Sequence, residues 1–222
     1  MSMISLEKTK TWIFDLDNTL YRASTSLFSQ VDMRMRDYIS INLNLKVEDA
    51  YKKQKEYFRE YGTTLRGLMT CHDIDPADFL DFVHDINLDI LDTDPVLKNA
   101  LAKLNGRKYV FTNASRGHAE RVMARLGIDD QFDDIFDIVD SGYEPKPKPH
   151  IYDAFIAKYD FDTTQAIMFE DMARNLIPAA ERGMQCVWIE TDQAWAQEGY
   201  DPAQIQHRTD DLKDWLLKAL AD

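Results

Sequence analysis

The run Ile13-Phe-Asp-Leu-Asp-Asn-Thr-Leu20 sets two carboxylates two residues apart, at the end of an apolar stretch and directly before turn-forming residues. If the chain is extended there, Asp15 and Asp17 project to one side and Leu16 to the other. Two more stretches end in polar groups after an apolar run: Thr112 and Asn113 follow "YVF", and Glu170 and Asp171 follow "IMF". Carboxylates gathered at one place raise each other's pKa values unless a cation lies among them. Oxygen ligands with no histidine or cysteine beside them suit Mg²⁺ rather than zinc. A cation held by Asp15 and Asp171 leaves Asp17 free. A carboxylate beside Mg²⁺ can attack phosphorus and form an aspartyl phosphate, and a second one nearby can protonate the leaving oxygen and then activate water. Phosphoryl transfer also needs a cationic cradle, which Lys146 or Lys148 in "EPKPKPH" can complete.

These residues must be brought together by something. Five short runs read as buried strands: 11–15, 108–112, 134–139, 166–170 and 185–189. Most are apolar throughout rather than alternating, as expected of parallel strands covered on both faces. Helical patterns lie between them: one opened by Asp94-Pro95 and stopped by Gly106, one capped by Ser115 and stopped by Gly127, one over 149–159, and one ending at Gly183. Alternating strand and helix predict an α/β fold with a doubly wound parallel sheet, whose ligands bind beyond the carboxyl ends of the strands. The rhythm breaks after residue 21. Helices alone are expected over 31–40, 48–61 and 76–87, which is too much chain for an ordinary crossover. Residues 22–92 are therefore expected to form an inserted all-helical domain, with 1–21 and 93–222 making the α/β core. The C-terminal "DLKDWLLKAL" reads as one amphipathic helix.

Lys and Arg total 26 against 39 Asp and Glu, a formal net charge of −13. That balance argues against polymeric nucleic acid or an anionic membrane surface as partner. It leaves room for a small anionic substrate, because a metal and a lysine can invert the field within one cleft. The N-terminal "MSMISLEKTK" has neither an apolar core nor a small-residue cleavage pattern, so no secretory leader is expected. Nothing approaches the ~18 apolar residues of a membrane span. Cys71 and Cys186 lack any ligand or pairing pattern and fit reduced thiols, which points to the cytoplasm.

In this order, "DLDNTL", "TNAS", "KPKP" and "FED" resemble the four motifs of the haloacid dehalogenase-like hydrolase superfamily, and the long helical insert resembles its cap. The resemblance implies Asp15 as nucleophile and Asp17 as general acid/base, with the Asp17 backbone carbonyl also on Mg²⁺. It implies that Thr112 holds the phosphoryl group, aided by the Asn113 backbone. The spacing lysine–Pro–x–Pro–x–x–aromatic selects Lys146 over Lys148. Asp171 would ligate the metal directly and Glu170 through a water, with Asn175 bracing the site. The second carboxylate favours phosphoryl chemistry over dehalogenation.

The fuller text "FDLDNTLY", "FTNASRGHAERVMARLGI" and "FEDMARNLIPAA" is similar to the pyrimidine 5′-nucleotidase group, which implies a nucleoside monophosphate such as UMP or CMP as substrate. Asn113, Ser115, Arg116, Tyr21 and Phe28 are the expected substrate contacts, although "RGHAER" reads equally as a polar helix face. Arg22, Arg34 and Arg36 are further cations that would suit a base or its phosphate. A sugar-phosphate phosphatase, a β-phosphoglucomutase-like enzyme and a non-catalytic module on the same fold are the alternatives.

Overall fold

The computed structural model describes residues 8–221. Residues 1–7, where most of the expected leaderless N-terminus falls, lie outside the described residues. Six parallel strands form one sheet: β1 (Thr11–Phe14), β2 (Arg107–Phe111), β3 (Asp134–Phe136), β4 (Ala166–Glu170), β5 (Gln185–Ile189) and β6 (His207–Thr209). Their order is β3-β2-β1-β4-β5-β6, so the chain starts in the middle of the sheet and winds outward both ways. That is the doubly wound α/β architecture expected from the alternation of strand and helix.

Side chains of β1 alternate between two cores. Trp12 and Phe14 enter one cluster, packed under α5 (Pro95–Ala102), α6 (Arg116–Leu126) and α9 (Leu212–Ala219). Ile13 enters the other, under α7 (Pro149–Tyr159) and α8 (Ala173–Glu181). Both faces of the sheet are covered, which is why its central strands β1, β4 and β5 are apolar at most positions. Asp94 accepts from the Leu97 amide ahead of α5, Ser115 accepts from the His118 amide ahead of α6, and Gly127 closes α6 at φ 73°. That left-handed residue is what the sequence offered as a stop.

Four helices stand between β1 and α5: α1 (Leu27–Asn42), α2 (Val47–Tyr61), α3 (Thr64–His72) and α4 (Pro76–His84). They enclose a third apolar cluster with Val31, Tyr38, Tyr57, Leu68 and Phe79 among its buried members. Three differences from the sequence reading stand out. Helix α3 was not expected, because two threonines at its start and Gly67 in its middle carry low helix propensity. Strand β3 ends at Phe136 rather than 139, since Asp137 turns the chain by accepting from the amides of Val139 and Asp140. Strand β6 is a three-residue polar edge strand with no apolar signature to read. Among the described residues no helix is long and apolar enough to cross a membrane. Cys71 is exposed, Cys186 is buried, and both are free thiols.

Candidate active site

Strand register decides what meets what. Phe14 pairs with Val110 on one side and with Phe169 on the other, so the residues that follow β1, β2 and β4 emerge at one rim. The Asp15 amide still donates to the Phe169 carbonyl (2.9 Å), and the Thr112 amide to that of Phe136 (3.0 Å), which extends the ladder to the first polar residues. Asn18 then turns the chain in the left-handed region, φ 61°. Leu16 is fully buried in the core, and Asp15 and Asp17 face the cleft.

Carboxylate oxygens of Asp15, Glu170 and Asp171 lie within 4.8 Å of one another, and all three side chains are buried. Lys146 is 1% exposed and donates to Asp15 Oδ1 (2.7 Å), the Phe111 carbonyl (2.7 Å) and Glu170 Oε2 (3.0 Å). Its place is set from both ends of the loop. Asn113 Oδ1 accepts from the Lys146 amide (2.8 Å), and Pro149 opens α7 just beyond. Lys148 does not enter the cleft lining. Asn18 Nδ2 donates to Asp171 Oδ2 (3.2 Å), and Asn175 donates to Glu170 Oε1.

Three buried carboxylates against one lysine leave two negative charges without a bonded cation among the described residues. The electrostatics register that imbalance. Burial and the neighbouring acids push Glu170 up to about 8 and Asp171 well above the carboxylate range, and burial raises Asp15 despite its lysine. A divalent cation with oxygen ligands fits this donor set in charge and chemistry.

Asp17 stands apart from that group. Its Oδ1 accepts from the Tyr21 hydroxyl at 2.5 Å and lies 3.3 Å from His118 Nε2. Burial opposes its ionisation, but the His118 charge and the hydrogen bonds from His118 and Tyr21 win and hold Asp17 below its ordinary value. The Asp17 carboxylate is thus not among the three converging oxygens, which leaves only its backbone for the expected metal contact.

A cleft of about 720 Å³ opens over these groups, between the sheet rim and the four inserted helices. Asp15, Asp17, Thr112, Asn113, Lys146 and Phe28 all line it, as the sequence reading expects. Three other expected substrate contacts, Tyr21, Ser115 and Arg116, do not line the cleft, because their side chains are engaged elsewhere. Arg116 donates to Asp134 Oδ1 (2.9 Å) and to the Ile135 carbonyl, tying the start of α6 to β3 as the polar helix face would. Ser115 is the N-cap of α6 and lies 2.9 Å from His84 Nδ1. Tyr21 is buried against Asp17. Of the other cations, Arg22 pairs with Asp211, Arg34 with Asp85, and Arg36 with Asp37.

In their place the cleft receives Phe58 and Arg59 from α2, Arg174 from α8, and Trp195. The Arg174 guanidinium lies 4.7 Å over the Phe58 ring, and Trp195 meets that ring edge-on at 6.2 Å. Nothing in the local text of α2 marks Phe58. Arg174 had a signal, since it lies three residues after Asp171, next to Asn175.

A model of the haloacid dehalogenase-like hydrolases matches residues 9–183. The chain belongs to that hydrolase family. In Saccharomyces cerevisiae, phosphate metabolism protein 8 is 32% identical over 136 residues, which are 57% of this chain and 42% of that protein. The chain thus spans less than half the length of this curated relative. Among solved structures, CbbY from Rhodobacter sphaeroides in complex with phosphate is similar at a TM-score of 0.67 and 17% identity, covering 96% of this chain and all of that one. A HAD phosphatase from Thermococcus onnurineus is similar at 0.65 and 17% identity, covering 96% and 98%. At such identities the likeness is one of fold.

Proposed function

We propose that this hydrolase is a Mg²⁺-dependent phosphomonoesterase that removes the 5′-phosphate from pyrimidine nucleotides such as UMP and CMP. The observation that carries the phosphoryl chemistry is the buried Asp15–Lys146–Glu170–Asp171 group, two negative charges in excess, with Asp17 beside it on the same cleft. Asp15 and Asp171 would hold Mg²⁺ directly, with the Asp17 carbonyl, and Glu170 through water. When bound, the ion supplies positive charge to the phosphoryl oxygens.

The Asp15 carboxylate attacks phosphorus. The ester P–O bond breaks, its electron pair stays on the leaving oxygen, and the Asp17 carboxyl gives that oxygen a proton. The negative charge of the arriving phosphoryl group favours the protonated form of Asp17, against the pull of His118. Water then attacks phosphorus and gives its proton to Asp17, and the bond to Asp15 breaks to return the carboxylate. Lys146 orients Asp15 throughout and screens it from Glu170, and Thr112 and Asn113 take the phosphoryl oxygens. Residues 22–92 act as a cap that excludes water.

Two features support a nucleotide: the motif text that resembles the pyrimidine 5′-nucleotidase group, and the Phe28, Phe58 and Trp195 rings along the cleft, which suit a planar base. Lys55, Arg59 and Arg174 on the same cleft favour a second reading, a sugar phosphate bearing more anionic groups. The exposed free thiol of Cys71 supports a reducing, cytoplasmic setting.

Phosphate release from UMP, CMP, AMP and several hexose phosphates, with and without Mg²⁺, separates these readings. The expected result is Mg²⁺-dependent turnover with pyrimidine nucleotides preferred. Equal turnover of hexose phosphates transfers the assignment to the second reading. Asp15→Asn is expected to abolish turnover, and an active Asp15→Asn enzyme would sink the phosphoryl mechanism.

A further inference from the structure

Asp17 is gripped by one oxygen only. Oδ1 meets both Tyr21 and His118, while among the described residues no hydrogen bond reaches Oδ2. A carboxylate turns about its last torsion in a broad, two-fold well, so two contacts on the same oxygen decide which oxygen faces the cleft.

His118 is 1% exposed, and its Nδ1 is buried with no partner. Its contact with Asp17 is therefore the polar tie of the ring. Facing a carboxylate oxygen, Nε2 is the nitrogen that donates to Asp17, and Nδ1 is left without a partner. A buried ring kept only for packing gains nothing from a stranded polar nitrogen, and an apolar side chain would fill the space at less cost. The ring plane is held from behind. His84, at the end of α4, stacks on His118 with centroids 4.3 Å apart and planes 16° from parallel, and Ser115 Oγ holds His84 Nδ1 at 2.9 Å. Arg121, one turn further along α6, donates to the His84 carbonyl (2.7 Å).

We infer that His118 is a positioning residue: together with Tyr21 it pins Asp17 by Oδ1 and so presents Oδ2, carrying the mobile proton, to the leaving oxygen. This rests on the phosphoryl-transfer reading above. His118 touches neither substrate nor reacting atoms and acts only through Asp17. An orienting contact of this kind matters most where the leaving group needs a proton, as an alkyl oxygen does. It matters least for p-nitrophenolate, which leaves unassisted.

The test compares His118→Asn with His118→Gln in the full chain with Mg²⁺. Both replacements are polar. The Gln amide nitrogen reaches about as far as imidazole Nε2, whereas the Asn amide stops short. Kinetics are read on p-nitrophenyl phosphate and on the alkyl phosphate ester that the substrate panel finds best. His118→Asn is expected to lower kcat on the alkyl ester by about 10- to 100-fold with KM nearly unchanged, the size of a misoriented catalytic group. On p-nitrophenyl phosphate the loss should be only about threefold, and His118→Gln should recover most of the alkyl-ester rate. Placed in an Asp17→Asn background, His118→Asn should change nothing further.

Equal losses on both esters, no recovery with Gln, or the same loss repeated in the Asp17→Asn background would overturn the inference and leave His118 a packing residue. An unaffected His118→Asn enzyme would overturn it as well. A wild-type chain with no turnover on any ester overturns the phosphoryl-transfer reading itself, and this inference with it.

Discussion

Among the described residues Lys146 is the one cation bonded to any of the three buried acids, and its worth follows from what its removal leaves behind. The Asp15 and Glu170 carboxylates it bonds are 7% and 1% exposed, so solvent replaces it poorly. Removing one partner of a buried charged group is far more damaging than the net value of the group, because the others remain unpaired. Lys146→Met, which keeps the stem and deletes the charge, is expected to lower the unfolding free energy by about 3–5 kcal/mol in urea titrations without Mg²⁺. A change within about 1 kcal/mol would show that the acids relax without it. At this scale the sequence was generous where spacing carries chemistry: Asp15, Thr112, Lys146 and Asp171 all reach one cleft. It misled at Arg116 and Ser115. Their side chains turn to Asp134 and His84, partners 18 and 31 residues away that no local pattern names.

Between elements, the contact of α2 with α3 shows why a helix escaped notice and yet matters. A Cβ at Gly67 would sit 2.4 Å from Cγ of Tyr57, so the missing side chain is what allows α3 to lie against that buried ring. The same glycine weakens the helical signal in the sequence. Gly67→Ala must push the two helices apart or move the ring, and a loss of about 1–3 kcal/mol in thermal or urea unfolding is expected. Because α2 also delivers Phe58 and Arg59 to the cleft, KM should rise more than kcat falls. A variant with unchanged stability and KM would show that Tyr57 has another place to go.

For the molecule as a whole, one link between the inserted helices and the core runs through a buried imidazole, His84. Burial, with the neighbouring His118 charge, lowers His84 from its ordinary 6.5 to about 3. Asp17, His118 and Arg121 are the charged or titratable groups that act on it. Between those two values the unfolded chain binds a proton at this position and the folded chain does not. Unfolding is therefore favoured as pH falls through that window, and stability is regained as it rises toward 6.5. His84→Asn is expected to flatten the slope of unfolding free energy against pH between 6.5 and 3 by up to about 1.4 kcal/mol per unit. An unchanged slope in chemical denaturation across that range would mean that His84 is solvated in the native state.

By itself, the sequence determined the core of this protein: apolar runs separated by capped helices, and polar residues placed where those runs end. Those features are local. A parallel strand covered on both faces must be apolar throughout, and a rim residue must be the one that follows it. The tertiary structure alone decided which oxygen of Asp17 is free, that His118 and Tyr21 hold the other, that Arg174 and Phe58 meet, and that Arg116 faces away from the cleft. Each of these is a contact between side chains far apart in the chain. Its geometry depends on strand register and on how the inserted helices seat over the sheet, neither of which is written at the positions concerned.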